Sequence, residues 1–277
     1  MLINQTAVTS RQKHDLSLLL KACRLQEPIT LGLPEDGDQY LMICRPKQES
    51  DSSSLLACLI ICKVQEDLWE CYAFTHPDFR RQGYFSRLLK ELCAIAKEQE
   101  ALLGIEIDLA FLSDGNSPDG LAAAQALEMT FWYSEYQMKL DLKTWNPKQQ
   151  LKSPALRPFR LCRQIIHEDS DDTDGWICRA FFDESTDTCL QKTSSASCIG
   201  ACRLIPYDSS RFYLYHVEIQ EALRSQGWGT CLLHAVLCQL PPESSVILQV
   251  SSLNEPALRL YKKAGFRVTE TLSYYLY

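Results

Sequence analysis

The chain has no long hydrophobic run. Its longest uninterrupted apolar stretch is Leu55–Cys62, well short of the roughly 20 residues a membrane-crossing helix needs. Met1-Leu-Ile-Asn-Gln-Thr shows no basic segment leading into an apolar one, so no secretory signal is expected and the cytoplasm is the expected compartment. Basic charge is also in short supply. Lys and Arg number 28 against 35 Asp and Glu, leaving a net charge of −7. Phosphate backbones are held by clustered Lys and Arg, so neither nucleic acid nor a membrane is an expected partner. The Gly-Lys-Ser/Thr ending of a Walker A loop and the Gly-x-Gly-x-x-Gly of a dinucleotide fold are both missing.

Cysteine is abundant but does not come in an even set: there are 13. A chain of this size needs no disulfide scaffold. The close pairs Cys58/Cys62 and Cys198/Cys202 lie in runs that read as strands. Four residues along a strand span roughly 13 Å, too far for one ion to touch both. These thiols read as small buried hydrophobes, and no metal site is expected. The acidic run Glu168–Asp174 before Gly175 fails the EF-hand template, which would put Ser170 and Phe181 at its carboxylate ends. It reads as a solvated loop with some attraction for a cationic amine.

What is present is enough apolar matter for two cores. The chain has 277 residues, 46% hydrophobic and 23% charged, and domains usually run to about 100–200 residues. It also repeats itself. Cys71–Phe79 reads as a strand entering a turn, Arg80-Arg81-Gln82-Gly83-Tyr84-Phe85. A helix follows over Ser86–Gln99, with apolar residues at helical spacing, then a strand Gly104–Leu112, a helix Leu121–Met129 and a strand Phe131–Leu142. The same order returns as strand Arg211–Ile219, turn Arg224–Gly229, helix Thr230–Leu240, strand Ser245–Val250, helix Glu255–Ala264 and strand Phe266–Tyr277. The second helix of this half is capped by Asn254 and ends at Gly265. Gly83 and Gly227 stand 144 residues apart, the spacing of a duplicated domain. The Pro-containing stretch 144–158 reads as a linker between domains 1–143 and 159–277. A helix over Gln12–Leu25 opens the first half, and the second half shows no counterpart.

A strand ending in Arg-x-x-Gly-x-Gly and opening a helix presents free backbone N–H groups and the positive end of a helix, a phosphate cradle. Here it is Arg224-Ser225-Gln226-Gly227-Trp228-Gly229, followed by Asn254-Glu-Pro-Ala-Leu-Arg-Leu-Tyr-Lys-Lys-Ala-Gly-Phe266. With both motifs in order, Ser197–Tyr277 strongly resembles the GNAT acetyltransferase superfamily. The resemblance implies an α/β fold: two GNAT-like domains in tandem, each a mixed central sheet with flanking helices and a splayed pair of parallel strands that receives acetyl-CoA. It implies that Val217 to Ile219 offer backbone groups to the pantetheine arm. Arg224, Ser225, Gln226, Gly227, Trp228, Gly229 and Thr230 would hold the pyrophosphate, and Asn254 would contact the cofactor arm. It makes Tyr261 the general acid, since a tyrosine near 10 can protonate a leaving thiolate near 8.5. Glu218 or His216 would take the proton from the amine; strict alternation puts both on one strand face. One departure is Glu221, where the family commonly has proline.

The first half reads as a domain that has lost this chemistry. Phe85 replaces the last glycine of the cradle. Counting back from Phe131, the positions of Asn254, Tyr261 and Gly265 fall on Asp119, Ala126 and Thr130. Such a half keeps the option of holding CoA or an acyl-CoA, but reads as mainly structural. The leading function is acetyl transfer from acetyl-CoA to a primary amine of a small molecule or peptide. The alternatives are a non-catalytic acyl-CoA-binding module and, disfavoured by the acidic charge, aminoacyl transfer from tRNA.

Overall fold

The computed structural model describes residues 1–45, 55–146, 159–167, 174–182 and 198–277. Most of the expected linker 144–158 and of the acidic run lies outside these residues. No helix among the described residues is long and apolar enough to cross a membrane.

The chain forms two compact units. Unit 1 is Met1–Ser134 with Thr271–Tyr277, and unit 2 is Glu135–Glu270. The boundaries expected at 143 and 159 follow the order of the chain. The compact units instead divide two strands, β6 (Thr130–Asp141) and β12 (Arg267–Leu276), each of which begins in one unit and ends in the other. Each half of the sequence thus completes the other half's sheet, and no local pattern in the sequence signals this.

In unit 1 the strand order is β1 (Leu2–Gln5), β2 (Gln39–Cys44), β3 (Leu55–Lys63), β4 (Leu68–Thr75), β5 (Asp108–Ser113), β12. Strands β1 to β4 pair antiparallel. β4 and β5 pair parallel, but only from Leu68↔Asp108 to Cys71↔Phe111; beyond this the two strands part. β12 runs antiparallel to β5 from Ser273↔Ser113 to Leu276↔Ala110. The first helix, α1 (Ser10–Gln26), starts at a capping box: the Gln12 backbone N–H donates to Thr9 Oγ1, and Thr9 N–H donates to Gln12 Oε1 at 2.9 Å. It buries Leu16, Leu19, Leu20 and Cys23, one face at helical spacing. α2 (Tyr84–Leu103) buries Leu88, Leu89, Leu92 and Ala96, each leucine contributing roughly 2 kcal/mol. α3 (Pro118–Ala126) is capped by Ser117, whose Oγ accepts from the Gly120 N–H at 3.0 Å.

Unit 2 orders its strands β6, β11 (Ser245–Ser251), β10 (Arg211–Ile219), β9 (Cys198–Pro206), β8 (Asp174–Phe182), β7 (Phe159–His167). β10 and β11 pair parallel for three residues, Arg211↔Ser245 to Tyr213↔Ile247, then separate. β6 runs antiparallel to β11 from Ser245↔Asp141 to Ser251↔Glu135. α4 (Trp228–Leu237) and α5 (Glu255–Lys263) cover a core that includes Leu232, Leu233, Val236, Val246 and Leu248. α4 ends four residues before Pro241-Pro242, which cannot continue a helix.

Candidate active site

Each unit carries the same turn at the end of its splayed pair. In unit 1 a 3-10 turn, Pro77–Phe79, leads to Arg80; in unit 2 the turn Glu221–Leu223 leads to Arg224. Arg81 and Ser225 both take φ 60°, and Gly83 and Gly227 follow at φ 80° and 90°. This is the left-handed region that favours glycine. Gln82 Nε2 donates to the Asp78 carbonyl oxygen at 3.2 Å, as Gln226 Nε2 does to Ala222 at 2.9 Å. Arg80 Nε donates to the Thr75 carbonyl oxygen at 3.3 Å, as Arg224 Nε does to Ile219 at 3.1 Å. The Gln and Arg side chains brace the turn, and the first backbone N–H groups of α2 and α4 have no partner within their helices.

The two cradles differ in what meets the arginine. Arg80 Nη2 lies 2.8 Å from Glu27 Oε2 and Nη1 lies 3.0 Å from Asp119 Oδ2, while Arg81 Nη2 lies 3.1 Å from Asp119 Oδ1. The guanidinium of Arg80, then that of Arg81, holds the Asp119 carboxyl below the usual carboxylate range. Arg224 is exposed and has no carboxylate partner among the described residues. The residue after next also differs. A Cβ on Gly229 would stand 3.3 Å from Leu260 Cδ2 and 3.7 Å from Ile219 Cγ1, so α4, α5 and β10 close together there. Unit 1 has Phe85 instead, edge-on to Phe111 with ring centres 6.1 Å apart.

Strand β10 is not regular. Its pairing with β9 shifts between Tyr215↔Arg203 and Glu218↔Ala201, and His216 takes φ 47°. This is a β-bulge, one extra residue on β10. It breaks the strict alternation expected along this strand. Leu214 faces the core before it, and after it Val217 and Ile219 pack against the core while Glu218 is exposed. His216 is exposed at the bulge itself. β4 pairs with β3 without such a shift. The bulge therefore distinguishes unit 2, and it re-aims Val217 and Ile219 beside the cradle.

The remaining expected site residues fall on α4 and α5. Trp228 is 5% exposed and edge-on to Phe159 and Phe182. Its indole belongs to the core, which leaves its backbone for the cradle. Thr230 is half-buried on the first turn of α4. Asn254 Oδ1 accepts from the Ala257 N–H at 3.2 Å, so its side chain is engaged in capping α5. Tyr261 is 7% exposed, with its ring 5.7 Å from that of Phe266. Burial, and then the Cys202 thiol, push its hydroxyl up to about 12.

The caps and exit turns correct the alignment made by counting from Phe131. Ser117 and Asn254 are the equivalent caps. Leu127 and Ala264 close the two helices, and Glu128 (φ 53°) matches Gly265 (φ 97°). The Met129 N–H donates to Ala124 as the Phe266 N–H donates to Tyr261. The counterparts of Asn254, Tyr261 and Gly265 are thus Ser117, Ala124 and Glu128. Met129, two residues before the aromatic Phe131, occupies the place of Phe266. Asp119 is instead the counterpart of Pro256.

Two features carried no signal in the sequence. One is the pairing of Asp119 with the cradle arginines. The other is Glu135, half-buried on β6 opposite Ser251, whose carboxyl is raised by burial. Its charge in turn helps raise Tyr213 on β10, after burial of the phenol itself.

Comparison with known proteins agrees with this reading of the fold. The Acetyltransferase (GNAT) family model matches residues 20–113 and 147–266. No curated protein matches the chain in sequence. A GCN5-related N-acetyltransferase from Sphaerobacter thermophilus is similar in structure over 100% of this chain and 95% of its own, with a TM-score of 0.63 and 14% identity. A tandem GNAT protein from the clavulanic acid biosynthesis pathway is similar over 100% and 98%, with a TM-score of 0.60 and 13% identity. At these identities the likeness is one of fold. With the family model matching most of its length in two stretches, the chain belongs to the acetyltransferase (GNAT) family and is a tandem member of it.

Proposed function

We propose that unit 2 transfers an acetyl group from acetyl-CoA to a primary amine of a small molecule or peptide. The observation that carries this reading is the contrast between the cradles: the backbone is the same, but of the two cradle arginines only Arg224 lacks a carboxylate partner among the described residues, and the strand leading to it carries a bulge where β4 pairs regularly with β3. The Gly227 turn at φ 90° and the N-terminus of α4 suit a diphosphate. Arg224, Ser225, Gln226, Gly227, Trp228, Gly229 and Thr230 would line that seat, mainly through the backbone. Val217 and Ile219 would orient the pantetheine arm along the splayed edge of β10, and Asn254 would set the start of α5 against it.

In this reading acetyl-CoA supplies the thioester. The chain supplies a backbone N–H at the bulge to polarise its carbonyl. Glu218 or His216, both exposed at the bulge, takes a proton from the amine, directly or through water. Tyr261 gives a proton to the departing thiolate.

A binding module without turnover is the second reading, and the burial of Tyr261 favours it. A phenol pushed up to about 12 gives up its proton reluctantly. Calorimetric titration with acetyl-CoA, with Gly227→Trp alongside, tests the first step. One site lost in the variant supports the reading, and no binding in the native protein sinks it. Release of free thiol on adding amines then separates enzyme from binding module.

A further inference from the structure

We propose that the cavity of unit 1 binds a small, uncharged apolar molecule, and that Asp119 bars the diphosphate of a nucleotide cofactor from it by occupying both cradle arginines. The cavity measures about 340 Å³ and lies where β4 and β5 part, between the end of α1 and α3. This is the size of a small-molecule site. Phe74, Phe79, Phe85, Phe111, Leu127 and Met129 give it an apolar wall.

The charges at its rim are satisfied within the unit. Arg80 is paired with Glu27 and Asp119, and Arg81 with Asp119. Asp114 accepts from the backbone N–H groups of Thr30, Leu31 and Asn116. A charged ligand would compete with these pairs, of which Arg80–Glu27 is the most buried and the most costly to break, whereas a neutral one disturbs none. Asp119 is the second residue of α3, so the positive end of that helix also faces a carboxylate already in place. The corresponding position in unit 2 is Pro256, and the first-turn carboxylate of that helix, Glu255, pairs with Arg259 on the same helix and not with the cradle arginine.

The apolar space has a traceable origin. Ala124, on the cavity wall, is the counterpart of Tyr261. Unit 2 fills its core at this point with a phenol ring, and unit 1 has a methyl group. Phe85, in the place of Gly229, adds an aromatic wall where unit 2 closes its elements together.

The neutral fluorophore N-phenyl-1-naphthylamine tests this on the full chain. One saturable site with enhanced emission is expected, undiminished by saturating acetyl-CoA and by Gly227→Trp. Ala124→Tyr, which restores the missing ring, should weaken the probe by about ten-fold or more while circular dichroism shows the fold retained. Asp119→Ala should make the site sensitive to acetyl-CoA, and this arm needs no bulky insertion. Displacement of the probe by acetyl-CoA in the native protein would overturn the proposal, because the seat would then be a nucleotide site. Undiminished binding in a folded Ala124→Tyr would overturn it by placing the probe elsewhere. Failure of acetyl-CoA to bind unit 2 would sink the acetyltransferase reading and leave this one standing.

Discussion

Arg80 and Arg224 stand at the same point of two turns that share one backbone, and Arg80 alone is tied to Glu27 and Asp119. The turn glycines give this contrast a controlled test. Gly83 and Gly227 both sit at positive φ, so a tryptophan at either introduces similar backbone strain, of order 1–3 kcal/mol. Gly227→Trp should abolish acetyl-CoA binding and Gly83→Trp should leave it, as read by calorimetry. If Gly83→Trp is the more damaging of the two, the cofactor belongs to unit 1.

Gly200 is where β9 passes the bulge of β10. A Cβ there would press on the Glu218 carbonyl oxygen and come within 2.7 Å of Ile219 Cδ1. The carbonyl is backbone and cannot rotate away. Gly200→Ala should therefore destabilise the protein by about 1–3 kcal/mol and shift the backbone at Glu218. Denaturant midpoints and acetyl-CoA affinity, measured together, check this. Unchanged values for both would show that the bulge gives way without cost.

The sequence made the elements legible where a local rule applied. Helices α2 and α4 follow from leucines at helical spacing after a glycine, and α5 follows from Asn254 and Gly265. The repeat was legible from Gly83 and Gly227. What escaped was non-local or parity-breaking. The bulge at His216 adds one residue to a strand whose composition still looks regular. The exchange of β6 and β12 depends on which edge each strand finds after folding, and side-chain pattern does not encode that. The ion pairs of Asp119 unite residues 38 and 39 positions apart, and Asp119 reaches the arginines because it lies two residues past the cap Ser117, a place that an alignment on the aromatic Phe131 does not give it.

Glu135 provides a pH-dependent prediction. Burial raises its carboxyl above the ordinary value of 4.5, so the folded state favours the protonated form. Relative to the unfolded chain, the ionised carboxylate is a penalty at neutral pH, and this penalty fades as pH falls through the raised value toward 4.5. Glu135→Gln should thus raise the thermal midpoint at pH 7, by roughly 1–2 °C for a half-buried group. The gain should vanish near pH 4. A gain that persists unchanged in acid would assign it to packing instead of charge.

Tyr261 is the residue on which the enzymatic reading turns. Burial pushes its hydroxyl up to about 12, so its own titration is not expected to give the alkaline limb of a rate profile. A general acid commonly contributes about 10²–10⁴-fold. Tyr261→Phe keeps the ring against Phe266 and removes only the oxygen, so the fold and acetyl-CoA affinity should hold. The kcat should drop by about 10²-fold or more with KM for acetyl-CoA nearly unchanged, the signature of a contact made in the transition state. An equally active variant would move the proton donor elsewhere. A variant that loses affinity and turnover in step would show that the ring, already 7% exposed in the core, serves to build the site and not to donate the proton.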